Sequence, residues 1–158
     1  MKDETKQIFT RKITQANKTQ LTVIVYEILL VYLEDSLTAF EAGNKDEFKH
    51  CLSKARECIS ELRISLDFNY EPSTSLFSIY CFADRELAKN IYGNKINNIH
   101  ELQDMFTKLK DAFEAVSKND NSKPLMENIQ GVYAGLTYGK NDLNENLVNY
   151  DSKRGYLV

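Results

Sequence analysis

Leu21–Phe40, LTVIVYEILLVYLEDSLTAF, decides the fold. The stretch has helical length, contains neither Pro nor Gly, and carries far more apolar side chains than a helix with one buried side needs. At 3.6 residues per turn, Leu21, Val25, Ile28, Leu29, Tyr32, Ala39 and Phe40 fall on one broad face. Glu27, Glu34 and Thr38 mark the opposite, wet side, with Val23 and Leu30 on one border and Ile24 and Val31 on the other. Such a helix is surrounded by other helices over most of its circumference, keeps an apolar groove for a partner, or spans a membrane. Length excludes the third option. Unbroken apolar character runs only from Leu21 to Leu33 and already includes Thr22 and Glu27, against the roughly 20 residues a bilayer requires. No membrane insertion is expected.

The flanking sequence punctuates this helix and repeats its pattern. Asn17 followed by Gln20 is a capping pair at its start, and Gly43 supplies a left-handed residue after Ala42. Asn44 and Glu47 then open a second helix, in which Phe48, Leu52, Ala55, Ile59, Leu62 and Leu66 recur at spacings of 4, 3, 4, 3 and 4. That seam ends near Phe68, where Asn69-Tyr70-Glu71-Pro72 breaks the helix. A third helix starts in the Ser73–Ser75 cluster and stops at Gly93, with Leu76, Tyr80, Ala83, Leu87 and Ile91 as its seam. Phe77, Ile79 and Phe82 spread further apolar surface around it. A fourth, opened by Asn98 and Glu101, carries Ile99, Leu102, Phe106, Leu109, Phe113 and Val116 and fades at Ser117–Asp120. No strand pattern competes within 17–118. The predicted class is all-α, an antiparallel up-down-up-down four-helix bundle.

The ends are looser. Residues 1–16 are polar apart from Ile8, Phe9 and Ile13, so they are either a frayed leader or a segment that docks these three side chains on the bundle. Residues 119–158 form a tail with a short helix predicted over 124–133, followed by an irregular stretch rich in Gly, Asn and Tyr. Disorder and docking through Tyr133, Leu136, Leu143 and their neighbours both stand.

Composition narrows the function. A chain of 158 residues fits one domain, and a net charge of −3 argues against a nucleic-acid footprint. Cys51, Cys58 and Cys81 are odd in number and lack CxxC spacing, as expected of reduced thiols in a cytosolic protein. The first residues, MKDETKQIFTRK, have no apolar run of the kind a secretory signal needs. Glu47 and His50 are half of a carboxylate-histidine set for a di-metal bundle. The other half is missing, because Asn97 stands three residues before His100. No nucleophile motif or phosphate-binding glycine loop is present. Neither catalysis, nor a metal, nor a cofactor is expected. What remains is surplus apolar surface on the first and third helices, suited to hold an amphipathic helix from another chain.

Lys54-Ala55-Arg56-Glu57-Cys58-Ile59-Ser60-Glu61-Leu62, followed by Ser65-Leu66-Asp67, resembles the second-helix signature of the flagellar export chaperone family FliS, K-A-x-x-I-I-x-E-L then S-L-D or S-L-N. The resemblance extends from Asn17 to Val116. Asn17–Tyr26 stands where that family has a Ser/Thr-Pro start and L-x-x-M-L-Y. Ile79-Tyr80-Cys81-Phe82 with Arg85 and Leu87 is similar to its L/M-Y-D-Y-x-x-R-R-L, and Asp111-Ala112-Phe113 to its D-A-W. Lys18 replaces the family's proline, Ile28 a common glycine and Glu86 one of the paired arginines. Ile8 or Phe9 stands near its N-terminal aromatic.

The resemblance implies a cytoplasmic chaperone for flagellin. It would hold flagellin's disordered C-terminal segment in apolar grooves, prevent premature polymerisation and pass it to the flagellar type III export machinery. Folding of the segment on binding supplies the affinity, and no nucleotide is required. A bundle adaptor for a different secreted or flagellar client is the rival reading, and a homodimer stays open. The expected groove residues are Val23, Leu30, Val31, Phe77 and Phe82, with Tyr26 and Tyr80 at family-matched positions. The alternative for each is ordinary core packing. Arg85 either anchors a partner carboxylate or caps a local helix end. Ile8, Phe9 and Ile13 are expected to cap part of the groove in the free protein.

Overall fold

A computed structural model describes residues 1 and 3–126. Among them the fold is all-helical, with α1 (Asp3–Thr14), α2 (Lys18–Glu41), α3 (Lys45–Ile64), α4 (Pro72–Gly93) and α5 (Ile99–Ser117). None of these helices is long and apolar enough to cross a membrane. Pro124–Met126 are not helical, and the rest of the short helix expected over 124–133 lies outside the described residues.

α2 is the central beam. It packs against α3, α5 and α1, while α4 lies chiefly on α3. Asn17 caps α2 as its spacing requires, accepting from the Gln20 amide at 2.8 Å while Gln20 Oε1 accepts from the Asn17 amide at 3.0 Å. The buried positions of α2 are Val23, Ile24, Tyr26, Leu29, Leu33, Ser36, Leu37 and Ala39. This corrects the single broad face drawn from the wheel, on which Leu21, Val25, Ile28, Tyr32 and Phe40 are only partly buried. The reason is that α2 serves two clusters. Tyr26, Leu29, Leu33 and Leu37 join the main core with α3, α4 and α5, whereas Ile24 packs with Phe9 and Ala16 beneath α1. Even the wet strip is partly roofed, since Lys12 of α1 reaches Glu27 at 2.7 Å.

The 3-4 seam of α3 is buried from Phe48 to Leu62. The helix ends at Ile64, earlier than the Phe68 boundary expected, because Ser65 takes the C-cap position and turns its hydroxyl onto the Leu62 carbonyl at 2.9 Å. Leu66 therefore hangs on a loop. Arg56 clasps Asp84 of α4 through two bonds, at 2.7 and 3.2 Å.

α5 starts directly after Asn98, as expected, but both ends of the α4–α5 turn are closed in a different way from expectation. Gly93 is the last residue of α4, and the left-handed stop is Asn94 (φ 48°). Asn98 is also left-handed (φ 58°) and makes no capping bond to α5. The turn between them is held by Asn90, fully buried, whose amide donates to the carbonyls of Glu86 and Asn97 at 2.9 Å each. Its Oδ1 accepts from the Asn97 amide at 2.6 Å. Once Asn90 clamps the loop from inside, neither a glycine stop nor a side-chain cap is needed.

Candidate functional site

Where the first turn of α2, the end of α3, the start of α4 and the end of α5 meet, packing leaves an open cavity of about 570 Å³. Its walls are apolar continuations of the helical seams: Leu62 and Leu66, Leu76, and Phe113 with Val116. At the early stop of α3, Leu66 leaves the helix and lines the opening while still packing in part on the main core. The α3–α4 turn is itself fixed. Ser73 donates to the Asp67 carbonyl at 2.6 Å, and the Asp67 carboxylate accepts from the Asn69 backbone and side-chain amides at 3.0 and 2.8 Å. Tyr70 and Val116 stand on the rim, 68% and 59% exposed, and Phe68 nearby leans edge-on against Phe77 at 5.8 Å between ring centres. Exposed aromatics around an apolar opening leave a patch of apolar surface in reach of solvent.

Tyr80 forms part of the floor. Its hydroxyl meets that of Tyr26, whose ring is 5.5 Å from that of Phe113. Burial first, and then the hydrogen bond from Tyr80, raises the Tyr26 hydroxyl far above the ordinary tyrosine range; burial raises Tyr80 as well. Both stay neutral and act only as hydrogen-bonding groups. A second chamber of about 390 Å³ lies between α2 and α3, lined by Leu21, Val25 and Leu62 and by Leu125 from the segment that follows α5. The two chambers share Lys18, Thr22, Leu62 and Ser65 as walls.

The walls of both chambers contain no His and no Cys, and their charges are Lys18, Glu61 and Asp67. Among the described residues no group of His, Cys, Asp and Glu side chains is placed to hold a metal. Glu47 and His50 are exposed, and Glu47 accepts a contact from the Cys51 thiol at 3.5 Å. Burial pushes the thiols of Cys51 and Cys58 up to about 11 and about 12. The arrangement suits burial of apolar side chains.

The residues singled out from sequence fall into separate places. Tyr80 lies at the large chamber and Tyr26 directly behind it; both are core residues, at 1% and 0% exposure, rather than accessible walls. Val31 packs on the cluster formed by Phe9, Ala16 and Ile24, with Ile13 beside it. Phe9, Ile13 and Val31 thus meet at the α1–α2 contact, away from either chamber. Ile8 points away from that contact and is exposed, since a helix cannot turn neighbouring residues to the same side. Val23 is buried, Leu30 packs on the main core, and Phe82 is exposed on α4. Arg85 donates through Nε to the Cys81 carbonyl of its own helix at 3.2 Å.

Sequence reasoning assigned Leu62, Leu66, Leu76, Phe113 and Val116 to seams but not to the groove. The signal was available. Each lies within about two turns of a helix end, where a seam position has no guaranteed partner. Tyr70 and Leu125 carried no such signal.

The family model described as "Flagellar protein FliS" matches residues 1–120. That span includes α1, which the resemblance read from motifs did not cover. The flagellar secretion chaperone FliS of Bacillus subtilis (strain 168) is 24% identical over 108 residues, covering 68% of this chain and 81% of the relative.

Proposed function

From the fact that this chain belongs to the FliS family of flagellar proteins, we propose that it is a non-enzymatic flagellar secretion chaperone acting in the cytoplasm. Its client in this reading is the C-terminal segment of flagellin. The observation that carries the reading is the open apolar cavity where α2, α3, α4 and α5 meet, with Tyr70 and Val116 exposed on its rim. α2 to α5 form an antiparallel up-down-up-down bundle, and the groove is the gap left where its seams run out. A disordered amphipathic segment folds as its apolar ridge enters this groove. It is thereby kept from polymerising until it is passed to the type III export machinery. The relative in Bacillus subtilis carries the name of a flagellar secretion chaperone, which supports the same assignment.

Calorimetric titration of the full chain with the C-terminal segment of its own flagellin tests this. Saturable 1:1 binding with a negative heat-capacity change is expected, because apolar surface is buried. Leu66→Asp and Val116→Asp should each weaken binding at least tenfold while leaving helicity intact. Absence of binding by the wild-type chain refutes the client assignment.

A further inference from the structure

The segment after α5 does not leave the bundle at once. It runs back across the start of α2, where Asn17 Nδ2 donates to the carbonyls of Asp120 and Ser122 at 3.1 and 3.4 Å. Thr19 donates its hydroxyl to the Asp120 carboxylate at 2.6 Å, and the Leu125 amide donates to the Ala16 carbonyl at 3.0 Å. The strap is also braced internally, with the Ser122 amide donating to Asp120 Oδ1 at 3.0 Å. Asn17, only 2% exposed, thus serves two structures: its Oδ1 caps α2 and its Nδ2 holds the strap.

We propose that this strap, residues 119–126, is a wall of the client groove, and that Leu125 closes on aliphatic side chains of the bound segment. The proposal rests on the client reading given above. Leu125 lines the 390 Å³ chamber together with Leu21 and Val25 of α2 and Leu62 of α3, yet is itself 60% exposed. A leucine fixed by its own backbone beside an unfilled apolar space has unspent burial, and the space between it and the helices is where that burial is realised. The small chamber continues the large one through their shared walls of Lys18, Thr22, Leu62 and Ser65. One apolar ridge therefore reaches both. The charges on the small chamber are one cation, Lys18, and one anion, Glu61, so it favours neither sign and suits uncharged, apolar side chains.

The test titrates the full-length protein and its variants with the C-terminal flagellin segment. Leu125→Ala is expected to weaken binding about tenfold, and Leu125→Asp more, because apolar area that the complex buries is removed. Asp120→Ala, which removes the side-chain bond from Thr19 to the strap, should weaken binding several-fold without touching the walls of either chamber. Since Leu125 is exposed in the free protein, its variants should melt at the wild-type temperature, so a loss of affinity cannot be a loss of folding. Hydrogen exchange at the Leu125 amide should slow further when the segment binds. Wild-type binding that Leu125→Ala leaves unchanged overturns the wall. Tighter binding by Leu125→Ala, with faster exchange at its amide in the complex, overturns it too and makes the strap a plug that the client displaces. If the wild-type protein does not bind, the client reading falls and the wall falls with it.

Discussion

Replacing Tyr80 by Phe removes one oxygen from a pair of buried hydroxyls that, among the described residues, bond to each other in the core. The Tyr26 hydroxyl is then left buried without a partner, and such a group costs about 1–3 kcal/mol. Tyr26→Phe should cost a similar amount by stranding Tyr80. Replacing both removes both polar groups together, so the double variant should lose less than the sum of the singles, about 1 kcal/mol or under. Urea denaturation followed by far-UV circular dichroism reads this directly. With a slope of about 2 kcal/mol per M, a 2 kcal/mol loss lowers the midpoint by about 1 M. pH supplies a second reading. The folded state holds both tyrosine protons above the ordinary range, so this contribution is complete below about pH 10 and declines as pH rises beyond it. The double Phe variant should lose that alkaline decline. Strictly additive single effects, or an alkaline limb unchanged in the double variant, would refute the reasoning.

Two further outcomes follow from polar side chains elsewhere in the fold. Asn90→Ala deletes the two bonds to Asn97 that hold the α4–α5 turn and a third to Glu86 within α4; a loss of about 2–4 kcal/mol in the urea midpoint analysis is expected, and a loss below about half a kcal/mol would show that the turn holds itself. Asp120 has its carboxyl lowered by the Thr19 hydroxyl and then by Ser122, so its hold on α2 is present above its unfolded value near 3.8 and is lost as pH falls through the depressed folded value. Amide exchange at Leu125, measured down an acid series, should accelerate over that window in the wild type and show no such step in Asp120→Asn.

Local periodicity carried most of the fold. α3 was legible because Phe48, Leu52, Ala55, Ile59 and Leu62 repeat one spacing on one side, and all are buried. α2 was legible as a helix but not as a surface, since its apolar residues divide between α1 and the main core. A wheel averages two partners into one false face. The α4–α5 turn was misread because its determinant, Asn90, lies inside a helix where nothing local distinguishes it. The groove was half legible. Its walls were named as seam residues, but whether a seam position meets a neighbour or a void depends on where the helices end. Those ends were set by Ser65 and Pro72: α3 stops at Ile64, four residues before the expected Phe68, and α4 starts one residue before the Ser73–Ser75 cluster. The strap escaped because its bonds to the start of α2 span 101 to 109 positions.

That span has a consequence for how the molecule is made. Asn17 can cap α2 as soon as Gln20 has been synthesised, and α2 can pair with α3 across the short Ala42–Asn44 turn soon afterwards. The partners of the Asn17 amide emerge about 100 residues later, and joining them requires closing the whole intervening loop. During translation the helices therefore assemble around a cavity that still lacks one side. The last few described residues finish it, long after the amide that grips them has been waiting at the other end of the chain.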